Sequence, residues 1–372
     1  MTTEQIYSLV NAVNTQAFGS GALAVVDAAS LVSLGNTVLS SSTNTESFLN
    51  TLCQRIGRTI ISFRRYRNRL SDMVLNDFEY GAILQKIKVH MPEAEADPSY
   101  NLVDGQSVDP WIVRKPDVEQ KLFVTRTPYM FQITIAREQL KEAFTGAEEM
   151  GGFIGAIMGE MRNAIEVALE NLGRVTINNM IAEASGTSRT INLVTEYNAN
   201  AQPATPVTAG TALFTPAFIA YAIRRINETF DMMQSMTTLF NDGSVERFTP
   251  REDVRVKMLS AFKRAAETVV EYAAFHEDLV RIDNAFEVMP FWQSALAPSN
   301  ISVTRASDEA DTSVSNIIAI AHDRDALGIY QIEEEVLTTP VNARGRYYNT
   351  VNHQRQLWFN DLSENFVVFT LN

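Results

Sequence analysis

The residues best equipped for catalysis or ligation are few and scattered. Histidine, the side chain that serves as base or metal ligand near neutral pH, occurs four times, at His90, His276, His322 and His353. No two of these are spaced His-x-x-x-His and the single cysteine, Cys53, has no cysteine to join it, so the sequence offers no zinc-binding set. One cysteine also excludes an intrachain disulfide framework and fits a reducing compartment; on a helix, Cys53 reads as a small buried residue. Walker A, Gly-x-Ser-x-Gly and Gly-x-Gly-x-x-Gly patterns are missing, and Gly19-Ser20-Gly21 is too short to cradle a phosphate. His322-Asp323-Arg324-Asp325 has the order of a kinase catalytic loop without its asparagine or Asp-Phe-Gly, and reads as a turn after a strand. Glu333, Glu334 and Glu335 could attract a cation, yet a run of acids with no ligand-spaced glycine reads as a solvated face. No catalytic residue, cofactor site or metal site is expected.

Charge patterning says more. Arg55, Arg58, Arg65 and Arg69 recur along one stripe, whereas Glu93, Glu95, Asp97, Asp104, Asp109 and Asp117 crowd a proline-rich stretch. Opposite charges concentrated in separate segments suit pairing between copies of the chain; the plainer reading of the arginines is a solvated helix face. The net charge is −13, from 44 acidic and 31 basic residues, which argues against affinity built on neutralising phosphates. With 45% hydrophobic and 20% charged residues the chain has the composition of a folded globular protein. The apolar stretch from Ala22 to Leu39 is broken by Asp27, Ser30 and Asn36 and is too polar to span a bilayer. Met1 to Thr15 carries Glu4 and no basic start, so no signal peptide is expected.

The elements that must carry these residues follow from periodicity. Residues 1–45, poor in charge and rich in Ser, Thr and Asn, are expected to be an arm that needs partners, with Leu39 to Asn44 a connector. From Glu46, apolar Leu49, Leu52, Ile56, Ile60, Phe63, Leu70 and Val74 keep helical spacing with the arginine stripe on another face. Strand character then appears at Ile83, Ile87 and Val89 and again over Leu122 to Thr127 and Met130 to Ile135. Pro92, Pro98, Gly105, Pro110 and Pro116 lie between, so the economical picture is a long two-stranded hairpin with an acidic tip. Thr145-Gly146-Ala147-Glu148 matches a capping box, and helical spacing then runs to about Ala184, with Gly186 to end it. About 40 residues at roughly 1.5 Å each make a rod of about 60 Å. Arg162, Glu166, Glu170 and Arg174 form an ion-pair stripe along it. Thr215-Pro216 and Thr249-Pro250 predict two more helices, to about Met233 and Ala274, separated by a turn at Asn241 to Ser244. Strands are expected at Ala285 to Trp292, Asn316 to Ala321, Tyr347 to Phe359 and Asn365 to Leu371.

This order resembles the tailed-bacteriophage major capsid protein with the Hong Kong 97 type fold. Two closing passages are similar as sequence: Ile317 to Gly328, with Asp325-Ala326-Leu327-Gly328 after a strand, and Asn342-Ala343-Arg344-Gly345-Arg346-Tyr347-Tyr348 followed by His353 and Asn365 to Phe369. The resemblance implies an α+β fold divided into an N-terminal arm and Arg-rich helix (1–78), an extended hairpin loop (79–136), a peripheral domain with a spine helix (137–185, completed by about 343–363) and an axial domain (186–342, closed by 364–372). It implies a virion shell subunit, not an enzyme, that forms hexamers and pentamers in the host cytoplasm and encloses double-stranded DNA without reading its sequence. A separate scaffolding protein and a portal would be partners, and no membrane. Some relatives join a hairpin lysine to a neighbour's asparagine, for which Lys115 or Lys121 and Asn349, Asn352 or Asn360 are the counterparts here. An encapsulin-like nanocompartment shares the fold and stays open as an alternative, as does an acidic soluble enzyme without a recognisable motif.

Overall fold

The structure, a computed structural model, describes residues 3–19, 23–56, 66–75, 84–92, 94–109, 111, 113–115, 117–272 and 286–372. In chain order the helices are α1 (Thr3–Phe18), α2 (Ala28–Leu39), α3 (Ser42–Ile56), α4 (Arg137–Ala143), α5 (Ala147–Ala184), α6 (Leu193–Ala201), α7 (Ala209–Ala212), α8 (Pro216–Met233) and α9 (Ser260–Tyr272). The strands are β1 (Val74–Leu75), β2 (Leu84–Val89), β3 (Val118–Phe123), β4 (Arg126–Ala136), β5 (Thr190–Asn192), β6 (Val254–Leu259) and β7 (Phe286–Met289). Six more close the chain: β8 (Ile301–Thr304), β9 (Asp311–Val314), β10 (Ile317–Asp323), β11 (Leu327–Thr338), β12 (Tyr347–Asn360) and β13 (Phe366–Thr370). They build two compact units, one of residues 1–80, 126–177 and 328–358, the other of 81–125, 178–327 and 359–372.

In the first unit the N-terminal residues are helical, where the sequence reading expects an arm. The Asp27 carboxylate accepts from the Ser30 amide at 2.8 Å and starts α2, and Ser42, inside the expected connector, already belongs to α3. Val10 and Val13 of α1, Leu31 and Leu34 of α2 and Phe48 and Leu52 of α3 share one core with Leu140, Phe144, Met150 and Ile154. Burying these stripes is worth about 1.5–3 kcal/mol per large side chain, which outweighs the weak helix propensity of a Ser- and Asn-rich segment.

The amphipathic helix expected from Glu46 to Val74 does not run that far. Residues 66–75 form a turn, a 3-10 turn over Ser71–Met73 and β1, which pairs in parallel with β11. The stripe on α5 explains this. Tyr66 donates its hydroxyl to Glu170 Oε2 at 2.6 Å, its amide reaches Asn163 Oδ1 at 3.1 Å, and the Asn68 amide reaches Glu166 Oε2 at 3.3 Å. Glu170, also paired with Arg174, is therefore buried against this segment instead of standing in an exposed ion-pair row.

Helix α5 matches its expected span, although its cap differs. Thr145 donates its hydroxyl to the Glu142 carbonyl at the end of α4, and the Gly146 carbonyl accepts the first helical bond, from Met150. Glu148 and Glu149 in the first turn suit the positive end of the helix dipole. β4 departs from the long-hairpin expectation: it pairs antiparallel with β12, from Ala136 opposite Tyr347 to Arg126 opposite Leu357, in the sheet β1-β11-β12-β4.

The second unit is built on the sheet β5-β13-β10-β6-β7. Its central strand, Ile317-Ile318-Ala319-Ile320-Ala321-His322-Asp323, is buried throughout, as a strand covered on both faces must be. Phe218, Ile223 and Phe230 of α8 and Phe262 of α9 pack against it. Thr215-Pro216 opens α8 as expected, with Pro216 at the first helical position. Thr249-Pro250 does not open a helix. A 3-10 turn over Arg251–Asp253 leads into β6, because the alternation of Val254, Val256 and Met258 fills the sheet, and the helix begins only at Ser260.

A methyl group separates two glycines in the first unit. A Cβ on Gly35 of α2 would lie 2.6 Å from Phe144 Cβ, whereas one on Gly152 of α5 would meet nothing within 4 Å. Denaturant unfolding of the subunit should show Gly35→Ala destabilising by about 1–3 kcal/mol, against the usual helix preference, and Gly152→Ala stabilising by about 0.5–1 kcal/mol.

Candidate functional site

In the described structure β2 and β3 form a two-stranded ribbon of six residues each, and Pro98–Tyr100 is a single 3-10 turn in the excursion beyond it. Alternation gives such a ribbon two faces. One carries Ile87 and Val89 of β2 with Val118 and Leu122 of β3, each more than half exposed. The other carries Lys86, Lys88 and Lys121 and is turned inward. This inverts the ordinary arrangement, since lysine is among the residues least often buried.

Register places Lys86 directly opposite Lys121, a pairing of like charges that costs energy unless other charges answer it. The answer comes from two turns. Asp361-Leu362-Ser363-Glu364, between β12 and β13, presents two carboxylates, and Asn241 to Ser244 presents a third on Asp242, whose amide donates to the Leu362 carbonyl at 2.8 Å. Lys88 Nζ lies 2.7 Å from Asp361 Oδ2 and 3.4 Å from Glu364 Oε1. Lys86 Nζ is 3.0 Å from both carboxylates and also donates to the Asp325 carbonyl at 3.0 Å. Lys121 Nζ is 3.3 Å from Asp242 and 3.6 Å from Asp361. Beside them Phe123 and Phe359 meet with tilted rings, 5.4 Å between centres.

The side chain of Lys88 is 1% exposed and that of Asp361 is fully buried. Burial alone would push the Asp361 carboxyl upward, but the Lys86 charge and hydrogen bonds from Lys88 and Ser363 outweigh it and hold the group far below the usual carboxylate range. For Lys86, burial works downward and the Asp361 and Glu364 charges work upward, with a net rise; Lys121 follows the same pattern with Asp242. Asp242 is lowered against its burial by hydrogen bonds from Ser244 and by Lys121. Asp361 and Asp242 are thus held more firmly as carboxylates, and Lys86 and Lys121 more firmly as ammonium groups, than they would be in water.

The charged residues singled out in the sequence stand elsewhere. Arg58, Arg65, Glu93 and His276 lie outside the described residues, Arg55 lies on α3 with its side chain outside them, and Arg69 is exposed. Glu95 pairs with Arg114 of the same excursion. Asp97 accepts from the Ser99 amide at 2.9 Å and Asp109 from the Trp111 amide at 2.9 Å, so both fold their own turns. Asp104 is exposed and Asp117 lies 4.0 Å from His90. Asp323 accepts from the Thr249 hydroxyl at 2.7 Å and from the Asp325 amide at 2.8 Å; the expected turn over His322 to Asp325 starts later, since His322 and Asp323 still pair with β6 as the end of β10 and only Arg324 and Asp325 belong to the turn that follows. Glu333 pairs with Arg355 at 3.1 Å, and Glu334 accepts from Asn352 at 2.9 Å. Asn349 accepts from Thr134, and Asn360 donates to Asn179. Among the described residues no group of three or more His, Cys, Asp or Glu could hold a metal, and no helix is long and apolar enough to cross a membrane.

Solved structures similar in fold include phage capsids. The chain is similar to a chain in the capsid structure of Staphylococcus phage Andhra (TM-score 0.54, 9% identity, 84% of this chain and 87% of the other). It is also similar to one from the capsid of cyanophage P-SCSP1u (TM-score 0.51, 13% identity, 84% and 90% covered). These likenesses, too distant to carry residue roles, give the fold: the Hong Kong 97 type of capsid subunit, as the sequence resemblance implies. Residues 10–370 match the model of the Phi29-like phage major capsid protein, and the chain belongs to that family. The major capsid protein of Bacillus phage GA-1 is 22% identical over 255 residues, or 68% of this chain and 50% of the relative, so the match spans about half of that protein.

Removing Asp361 would strand a buried ammonium. Asp361→Asn should destabilise the subunit by about 3–5 kcal/mol at neutral pH. Because the folded carboxyl is more acidic than an unfolded aspartate (about 3.9), its contribution is complete above about pH 5 and is lost as pH falls below about 4. Unfolding curves of parent and variant should therefore converge in acid, not in alkali up to about pH 9.

Proposed function

We propose that this protein is the structural shell subunit of a tailed-phage head, non-catalytic, assembling as hexamers and pentamers around double-stranded DNA. Support comes from the inverted ribbon. A chain that turns lysines inward and leaves Ile87, Val89, Val118 and Leu122 about half in water has a surface suited to another protein, since covering the exposed half of each such side chain gains about 1 kcal/mol. A second copy of the chain is the natural partner in a shell. The excursion extends this surface with Tyr100, Leu102, Trp111 and Val113, all strongly exposed, and tryptophan and tyrosine are frequent anchors at interfaces.

In this reading the first unit is the peripheral domain, the second the axial domain, and the ribbon with its excursion the extended loop. Head assembly would take place in the host cytoplasm with a scaffolding protein and a portal as partners. The net charge of −13 suits a wall that does not adhere to the DNA it holds. Arg55, Arg58, Arg65 and Arg69 are proposed to meet acids of adjacent copies, among them Glu93 and Asp104 on the excursion.

The test is negative-stain microscopy and sedimentation of the chain, expressed with and without a candidate scaffolding protein. Closed shells or hexamer arrays are expected; a persistent monomer under both conditions would contradict the reading. Ile87→Asp with Leu122→Asp should leave subunit stability within about 0.5 kcal/mol per site while sharply reducing particle yield. Reversing the charge of Arg55 and Arg69 together should likewise impair assembly and leave the folded subunit intact by circular dichroism.

A further inference from the structure

Hydrophobic contact is non-directional, so an apolar inner face would hold the ribbon without fixing the way it points. The seat described above is directional. Lys88 is held by Asp361 at the bottom, Lys86 bridges Asp361 and Glu364, and Lys121 reaches sideways to Asp242 on a different turn. Points of attachment on two separate turns define an orientation. On the body side Arg247 lies 3.7 Å from Glu364, and on the ribbon itself Glu119 lies 3.5 Å from Lys121, so the network links ribbon and body as one set of charges.

Such a cluster has few intermediate states. Losing one contact leaves a buried charge uncompensated, which weakens the case for keeping the others. A two-stranded ribbon released from its seat is marginal in water and loses its own pairing. Seated and released are therefore distinct conditions of the same segment.

We propose that the lysine-carboxylate seat is a latch that sets the direction in which the ribbon presents its apolar face, so that only a seated ribbon is competent to assemble. This rests on the reading of that face as a surface for a second copy. It assigns Lys121 and Asp242, the most accessible lysine-carboxylate pair joining ribbon to turn with side chains 25% and 26% exposed, as the position where the latch can be opened without emptying its core.

The test uses the full chain carrying Lys121→Glu or the charge-retaining Lys121→Arg. Amide hydrogen exchange is read in the isolated subunit and particle yield is read in the assembly reaction. Lys121→Glu should speed exchange over residues 84–89 and 118–123 by about tenfold or more, leave β10 and β13 unchanged, and lower particle yield; Lys121→Arg should match the parent in both. If Lys121→Glu also loses protection in β10, Asp242→Asn takes its place, since it keeps the oxygen that accepts from Ser244 and removes only the charge. Unchanged ribbon exchange overturns the latch. A loosened ribbon with parental particle yield overturns its control of assembly. A parent chain that never forms particles contradicts the shell reading and the control with it, while the exchange measurement still decides whether the seat holds the ribbon.

Discussion

A lysine ammonium almost wholly removed from water, 2.7 Å from an equally buried carboxylate, is stable only if the remaining charges around it are answered as well. At the base of the ribbon they are, by two turns that the chain brings together from residues more than a hundred positions apart. Everything distinctive about the ribbon follows from that requirement. With its three lysines committed inward, strict alternation turns Ile87, Val89 and Leu122 outward, and a face that most soluble proteins would bury is left open.

The rest of the second unit serves to place the acids. β10 supplies a fully buried central strand; β13 pairs with it, and the Asp361 amide bonds the Ala326 carbonyl at 2.7 Å just before that pairing begins. Ser363 donates its hydroxyl to Asp361 Oδ1 at 2.6 Å, a contact from within the same turn that helps to orient the carboxylate toward the lysines. The first unit has a different logic. Its three N-terminal helices and α4 and α5 share an apolar core, and polar residues of α5 receive the backbone of residues 66–68.

Much of this was legible in the sequence where period and punctuation agree. α5 and α8 lie close to their expected limits, because long runs with helical spacing are marked by Gly146, Pro216 and Gly186. β10, β12 and β13 follow the β-branched and aromatic runs, and the fold class follows from the order of elements, whereas β8, β9 and β11 carry no such expectation, the run Glu333 to Glu335 within β11 reading as a solvated face. Short polar segments differ from their expected form for one reason: tertiary contact decides them. Ser- and Asn-rich residues 28–39 became helix on burial of Leu31 and Leu34, and Thr249-Pro250 led into a strand because β10 offered an edge to β6. The lysine seat was missed because lysine is read as solvated by default. Its trace is nonetheless present: Lys86-Ile87-Lys88-Val89 alternates against Lys121-Leu122, and Asp361-x-x-Glu364 supplies the complementary pair.

The most direct test of the account is a cryo-electron microscopy reconstruction of assembled particles at a resolution that shows side chains. The account requires Lys88 to rest on Asp361 of its own chain while Ile87, Val89 and Leu122 are covered by a second copy. Particles in which that apolar face still meets solvent, or in which the three lysines have left Asp361 and Glu364 for carboxylates of another copy, would contradict it.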